Sequence, residues 1–189
     1  MVLPSGQSFM ELNTGKSWSW DVNFLEYGLG FGTSYAGLVT GMGFEFTNYV
    51  FEGQNNIVKD PVSGDMVAYV PDYADNITKS KLNITYLTAP LLLEFQIPAG
   101  KKRIHLSGGV IGGVKLASNS KLKYTENGDK SKEKFKGNFN LSPLRWGVTA
   151  RAGYRSLNLF ATYYMTPLFI PGSEPELYPF SVGLTLTPF

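Results

Sequence analysis

The chain has 189 residues, of which 43% are hydrophobic, 14% aromatic and only 17% charged, with a formal net charge of +2. This length fits a single domain over residues 1–189, and so small a net charge gives no reason to expect nucleic-acid binding. No apolar run approaches the ~20 residues of a membrane helix. The lack of Cys excludes thiol chemistry and cysteine-ligated metals.

This composition remains compatible with a transmembrane β-barrel, because each strand of a barrel needs only ~9–11 alternating residues, half of them polar. The first stretch, residues 1–14, is mixed and is predicted to form an outer loop or a partial strand. It lacks the basic and apolar regions of a signal peptide. We therefore expect that such a peptide was removed or is absent from this chain.

Strand-like alternation begins at residue 17. Trp18 and Trp20 share an apolar face, where tryptophans are typical anchors at the membrane–water interface; core tryptophans of a soluble sandwich are the alternative. The apolar phase shifts after Phe24, which predicts a β-bulge near Glu26. After a tight turn, the next predicted strand, residues 35–51, places glycines and Glu45 on its inner face.

Two strands are predicted in the middle of the chain, over residues 82–97 and 103–116. The apolar phase of the first changes near Pro90, and this predicts a bulge or an edge there. Residues 117–140 are rich in Lys and are predicted to extend beyond the membrane as a hairpin around Asn127-Gly128, a strong turn dipeptide.

The last three predicted strands cover residues 144–154, 157–169 and 180–186. The first of them carries Trp146, which we interpret as a further interfacial aromatic residue. The last strand alternates strictly and leads to Phe189, which we also interpret as an interfacial aromatic residue. A terminal aromatic residue on an alternating strand is the habitual ending of outer-membrane barrels.

Loop lengths alternate along the chain. The short connections are residues 32–34, 98–102 and 155–156, and the long ones are residues 52–81, 117–140 and 170–177. Outer-membrane barrels have short periplasmic turns and long extracellular loops, so residues 52–81 and 117–140 are predicted to be extracellular. Seven strands are visible, whereas bacterial barrels have even numbers. We expect an eighth strand upstream of Met1 or, as the alternative, within residues 2–12.

Several of these strands resemble the PorT-like outer-membrane β-barrel family of Bacteroidetes. The resemblance lies in SWSWDVNFLEY at residues 17–27, GMGFEFTNY at 41–49, YLTAPLLLEF at 86–95 and YPFSVGLTL at 178–186. It implies an all-β fold, a small antiparallel up-and-down barrel of eight strands in the bacterial outer membrane, with the first strand missing here. It implies no active-site residues, and the link of some members to protein secretion is not extended to this chain.

The inner face is the candidate site, because the alternation directs most charged residues of the strands toward the lumen. These are Asp21, Glu45, Glu94, Arg103, His105, Arg145, Arg151 and Arg155. An eight-stranded barrel has room for little besides its own side chains, and buried charges must be paired. A structural charge network that plugs the lumen is therefore favoured over a transport or binding pocket, and the pairing within it depends on barrel shear.

Neither catalysis nor metal binding is expected. His105 is the single histidine, and Arg103 and Ser107 beside it do not make a catalytic triad; a lone His is also a poor metal site. No cofactor is expected. The sequence predicts a non-enzymatic barrel in contact with outer-membrane lipid, structural or accessory to a larger outer-membrane complex. The alternative is a soluble or membrane barrel that binds a hydrophobic ligand or lipid inside, at residues the sequence does not identify.

Overall fold

In the computed structural model, the described residues form antiparallel β-sheet and connecting turns. The description covers residues 12–13, 15–33, 35–52, 55–59, 66–72, 76–99, 102–154, 157–172 and 176–186. Within these ranges, no helix is long and apolar enough to cross a bilayer. The all-β fold class predicted from alternation is thus confirmed.

Ten strands are described. They are β1 (Trp18–Gly30), β2 (Ala36–Phe51), β3 (Asn56–Lys59), β4 (Met66–Tyr69), β5 (Asn76–Ala99), β6 (Lys102–Glu126), β7 (Asp129–Lys136), β8 (Leu144–Tyr154), β9 (Leu157–Tyr164) and β10 (Phe180–Leu186). The strand predicted over residues 157–169 is shorter in the structure. It ends at Tyr164, three residues before Pro167, which has no backbone N–H to donate to a ladder.

Eight of these strands form one curled sheet. Seven of them make its wall in the order β1-β2-β5-β6-β8-β9-β10, each paired with the next, and β7 pairs with β6 beside this path. This is the up-and-down topology, and the sheet curls into a half-barrel. Within the described residues, no hydrogen-bonded ladder joins β1 to β10, although the two strands approach each other. The alternative first strand in residues 2–12 falls almost wholly outside the described residues.

The outer face of the sheet is apolar and the inner face is small or polar. On β1 and β10 the exposed side chains include Trp20, Val22, Phe180 and Leu184. The register between β1 and β2 shifts between Asn23 and Leu25, where one residue is left over. The predicted bulge is present, two residues nearer the start of the strand than expected.

Along strand β5, the apolar side chains change from the inner face of the sheet to the outer face. Its even-numbered residues face inward along the whole length from Ser80 to Gln96, and its odd-numbered residues face outward. The outward residues are apolar only from Leu87 downward. The inward residues change from mainly apolar (Leu82, Ile84, Tyr86) to mainly polar (Thr88, Glu94, Gln96), with Pro90 and the buried Leu92 as apolar exceptions. This exchange is what a strand shows on passing from water into lipid, because apolar side chains then turn from the core to the surroundings.

The bulge predicted at Pro90 is therefore wrong. Pro90 pairs in register with Ile111 and faces inward, and the register shift lies higher, where Leu116 of β6 is the extra residue. The sequence pattern changed phase because the apolar residues change sides while the strand continues regularly.

The described part of residues 52–81 contains strands where the sequence predicts a polar loop. It contains the β3–β4 hairpin, and β5 already starts at Asn76. Ile57 and Met66 of the hairpin are buried against Leu82, Ile84 and other residues of an apolar cluster. The hairpin thus folds over the end of the half-barrel that lies opposite the short turns.

The second long stretch has the hairpin that the sequence predicts. Strand β6 runs without a break to Glu126 and turns at Asn127 and Gly128, whose φ angles are 50° and 85°. Positive φ at both central residues is the requirement of the tight hairpin turn that Asn-Gly favours. Strand β7 then pairs with the upper part of β6, and β8 with the lower part.

Close approach of neighbouring strands explains inward glycines of the wall. A Cβ atom on Gly109 would lie 2.2 Å from the carbonyl oxygen of Leu91, and one on Gly147 would lie 2.3 Å from that of Tyr163. No side chain fits at such distances, so glycine at these positions permits the strong curvature of a narrow barrel.

Candidate functional site

The centre of the site is a buried ion pair between strands β2 and β8. The Arg145 Nη2 atom lies 2.7 Å from Glu45 Oε2, and the side chains expose only 3% and 6% of their surfaces. Both residues come from the inward phase of their strands, which is why two strands that are not neighbours can bring them together across the lumen. A charge at this depth is tolerated only when it is paired.

Two tyrosines complete the surroundings of the guanidinium group. Arg145 Cζ lies 3.4 Å from the centre of the Tyr86 ring and 3.9 Å from that of Tyr164. The Tyr164 hydroxyl also donates a hydrogen bond of 2.5 Å to Glu45 Oε2. The electron-rich ring faces stabilise the cation where water does not reach it, so four side chains of four strands form one buried unit.

Further polar groups extend this unit toward β1. The Thr47 hydroxyl donates to Glu45 Oε1 at 3.0 Å and lies 3.4 Å from the Ser19 hydroxyl. Asp21 stands directly opposite Glu45 in the β1–β2 ladder, and its Oδ1 atom is buried without a hydrogen-bond partner in the described part of the chain. Arg151 interacts electrostatically with Asp21 and Glu26, so it belongs to the same side of the lumen.

A small residue opposite Arg145 makes room for its side chain. Gly113 pairs with Arg145 in the β6–β8 ladder. A Cβ atom there would come within 3.2 Å of Arg145 Nε and 3.3 Å of Cγ. The glycine therefore lets the long arginine side chain bend across β6 toward Tyr86 on β5.

A second polar group lies at the end of the sheet near the short turns. His105 Nδ1 is 3.6 Å from Glu94 Oε1, and the two side chains are about one-fifth exposed, at 23% and 21%. Gln96 donates to the same Glu94 oxygen at 2.8 Å and accepts a hydrogen bond of 2.6 Å from Arg103. This arrangement is a partly hydrated chain of polar contacts on β5 and β6, separate from the buried pair.

The charged residues singled out from the sequence thus fall into two groups. Asp21, Glu45, Arg145 and Arg151 gather on one side, whereas Glu94, Arg103 and His105 gather at the lower end of β5 and β6. Arg155 lies outside the described residues, as does Phe189. Trp18, Trp20 and Trp146 are all on the outer face, each about half exposed.

Sequence reasoning missed the tyrosines. The alternation assigns no role to Tyr86 or Tyr164, although both are buried in the lumen against Arg145. A signal was available for Tyr86, because it shares the even phase of β5 with the inward residues Glu94 and Gln96. Sequence reasoning also missed the β3–β4 hairpin that covers the end of the half-barrel. There the buried Asn56 accepts a hydrogen bond from Ser120 of β6.

The contacts of His105 are with the polar residues of β5. Within the described ranges its partner is Glu94, and no hydrogen bond joins His105 to the Ser107 hydroxyl. Among the same residues, no group of three or more His, Cys, Asp or Glu side chains could hold a metal ion. The buried pair is instead suited to joining β2, β5, β8 and β9 across the lumen.

Comparison with known proteins gives one finding. A family model described as outer membrane protein beta-barrel domain matches residues 11–169, which is well over half of the chain. No curated protein and no solved structure matches it.

Proposed function

Because this chain belongs to the outer membrane protein beta-barrel domain family, we propose that it is a non-catalytic membrane barrel whose own side chains close its lumen. In this proposal its role is structural, or accessory to a larger outer-membrane complex. The strand motifs at residues 17–27, 41–49, 86–95 and 178–186 support a finer placement among PorT-like barrels of Bacteroidetes.

The observation that carries the closed lumen is the position of Arg145. Its guanidinium group lies between the rings of Tyr86 and Tyr164 and is paired with Glu45, so side chains from both walls meet in the middle. An ion that crossed the lumen here would have to displace a buried pair, which is costly because each charge would lose its partner.

The apolar cluster under the β3–β4 hairpin also supports a closed lumen. It lies at the end of the half-barrel opposite the short turns. Ile57 of the β3–β4 hairpin is fully buried, and so are Leu141 and Leu82, which belong to the same cluster. An apolar layer of this kind excludes water above the charged centre. A pore protein would leave this passage polar and open.

The open edges of the sheet support an accessory role. Unpaired strand edges are unfavourable in hydrocarbon, because their backbone groups lack hydrogen-bond partners. In the described residues the edges of β1 and β10 approach each other but are not joined by a ladder, so another segment is needed to pair with the backbone groups left open along them. That segment belongs either to the same polypeptide or to a partner protein.

Conductance in planar bilayers tests the closed lumen. The wild-type protein should give no stable single-channel steps, while a variant with Arg145→Ala and Glu45→Ala in which residues 56–69 are replaced by a short linker should conduct. Stable steps from the wild type would overturn the closed lumen.

Cross-linking in intact membranes, followed by identification of joined peptides, tests the accessory role. A protein joined only to itself or to lipid would oppose that role.

A second candidate function is binding of an apolar ligand at the gap between β1 and β10. A cavity of about 310 Å³ lies there, lined by Trp18, Tyr49, Tyr164 and Phe180 among others. Native mass spectrometry of the purified protein distinguishes the two candidates, since a bound ligand of constant mass would favour binding and its absence would favour the closed structural barrel.

A further inference from the structure

Eight lysines lie on one outward face of the sheet, above the apolar part of its outer surface. We call this surface the lysine face; its residues are Lys79 and Lys81 of β5, Lys121 and Lys123 of β6, and Lys130, Lys132, Lys134 and Lys136 of β7. The hairpin that carries most of them has so far been given no role.

The register places these lysines directly beside one another. Lys79 is opposite Lys123, which is opposite Lys132. The next row joins Lys81, Lys121 and Lys134 in the same way. Opposite residues of an antiparallel sheet point to the same side with Cβ atoms about 4.5–5.5 Å apart, and like charges at that distance repel.

The repulsion is not relieved within the described part of the chain. The buried ion pair there is Glu45–Arg145 and the His105–Glu94 contact lies near the short turns, and neither includes a residue of the lysine face. Partial burial lowers the pKa of Lys81, and the nearby ammonium groups of Lys79, Lys121 and Lys123 lower it further. Six cations in two adjacent rows therefore form a surface of strong positive potential.

Protection of a sheet edge does not account for this pattern. Lysines are common on edge strands, where they prevent pairing with other chains. Strand β6, however, has β5 on one side and β7 on the other along this region, so Lys121 and Lys123 are not on an edge. The charge extends across the whole width of the three-stranded extension.

The height of the lysine face above the lipid-facing surface points to the ligand. On β5 the outward side is apolar up to Leu87 and then continues as Thr85, Asn83 and Lys81. Six residues of strand at about 3.3 Å each, tilted by about 40°, place Lys81 roughly 15 Å above Leu87. Phospholipid headgroups add only about 5–7 Å to each side of the hydrocarbon, so the lysines stand at the level of a larger headgroup.

We propose that the lysine face binds the phosphate groups of a phosphorylated glycolipid in the leaflet next to the long loops. The apolar outer surface contacts the acyl chains, and the ammonium groups meet phosphates carried on the sugars above them. Because lysine acts as a flexible point charge, the surface suits several phosphates of variable position. The proposal needs the barrel to be in the membrane but does not depend on the closed lumen.

The test uses the full chain purified in a nonionic detergent. Its ligand is a lipopolysaccharide with phosphorylated core sugars, compared with the same molecule after enzymatic dephosphorylation. The variant carries Lys81→Gln, Lys121→Gln and Lys134→Gln, and its matched control carries Arg at the same three positions. A lysine near an anionic surface contributes about a five-fold factor in affinity, so the Gln variant should bind at least about ten-fold more weakly and the Arg variant within about two-fold of wild type.

Dephosphorylation should weaken binding to the wild type by a similar factor and should weaken binding to the Gln variant less, because five of the eight lysines remain in that variant. Equal affinity of the Gln variant and the wild type would overturn the proposal. Equal binding of phosphatidylglycerol would overturn the assignment to a glycolipid, and full competition by millimolar inorganic phosphate would indicate a site for the free anion instead.

Misfolding of the Gln variant is checked by its thermal unfolding midpoint, which should stay the same or rise because repulsion between lysines is removed.

Bilayer conductance of the same preparations distinguishes failure of the closed-lumen proposal from failure of the lipid-binding proposal. Channel steps from the wild type would reject the closed lumen without affecting the lipid result, and loss of lipid binding would leave the closed lumen in place.

Discussion

Replacement of Glu45 by Gln is the most direct test of the buried pair. The change keeps the shape of the side chain and an oxygen that can accept from Tyr164, so it removes mainly the negative charge. Arg145 then stays between two tyrosine rings with 3% of its side chain exposed and without its carboxylate. Water does not reach the guanidinium group to replace the lost partner.

The expected cost follows from the geometry of the pair. Two unit charges 2.7 Å apart attract by about 6 kcal/mol at an effective dielectric constant of about 20. Desolvation of both groups offsets part of this attraction, and removal of one partner from a buried pair costs about 3–5 kcal/mol. We expect Glu45→Gln and Arg145→Met each to lower the free energy of unfolding by that amount.

The assay is urea unfolding of the barrel in micelles, followed by tryptophan fluorescence. The double variant should lose at least about 2 kcal/mol less than the sum of the single losses, because the removal of both charges leaves no unpaired cation. Glu94→Gln is the matched control: its partner His105 is 3.6 Å away and both side chains are partly hydrated, so it should cost about 1 kcal/mol or less.

Two results would refute this reasoning. One is a loss at Glu45 no larger than that at Glu94. The other is a double variant whose loss equals the sum of the single losses, since independent effects would mean that the two side chains do not interact in the folded protein.

Three further predictions use the same unfolding assay or a labelling assay. Val148→Arg should cost about 2–4 kcal/mol if it lies near the bilayer midplane, while Thr149→Ala, which loses hydrogen bonds inside the wall, should cost about 1 kcal/mol; a smaller loss at Val148 than at Thr149 would oppose a lipid-facing surface there. Gly109→Ala should destabilise by about 1–3 kcal/mol because the new Cβ would meet the backbone of β5, whereas Gly28→Ala, with open space around it, should be nearly neutral; similar effects would argue against the tight curvature. Since the chain has no Cys, Lys130→Cys should react with a membrane-impermeant maleimide on intact cells and a cysteine in the β1–β2 turn should not; the reverse result would invert the predicted orientation.

The strands were predictable because alternation has a period of two and nearly every strand of the wall has one apolar side. Sequence alone placed Trp18, Trp20 and Trp146 on the apolar face and Glu45 and Arg145 on the other, and the structure has them there. The same pattern misled at Pro90. A strand that leaves lipid for water exchanges its apolar side, and in the sequence this looks identical to a change of phase.

The partners of the charged residues could not be predicted. Alternation predicts which side of the sheet a residue faces. It does not predict the height of that residue along the barrel axis relative to residues of distant strands, because that height depends on the stagger between strands. The sequence leaves open which inward acid meets which inward arginine. In the structure Glu94 instead contacts His105, and Arg145 is the partner of Glu45.

The β3–β4 hairpin escaped prediction for a different reason. Each strand has four residues, too few for a period to be recognised. Ile57 begins the short apolar run IV at residues 57–58 and Met66 begins MVAYV at 66–70. The mostly polar segment KDPVSGD at 59–65 between them makes the whole stretch look like a loop. The burial of Ile57 and Met66 depends on the wall of the barrel, which no local pattern describes.

The extra residue at Leu116 determines which residues of β6 face inward in the part of the strand beyond it. Below it, the odd-numbered residues of β6 face inward, and above it the even-numbered ones do, so Leu122 and Tyr124 are inside while Lys121 and Lys123 are outside. Loss of that one residue would exchange the two sets along the rest of the strand. Insertion or deletion of one residue between Leu116 and Lys121 would therefore turn the lysines inward unless a second bulge compensated, whereas a change of two residues there would leave every side chain on its own face.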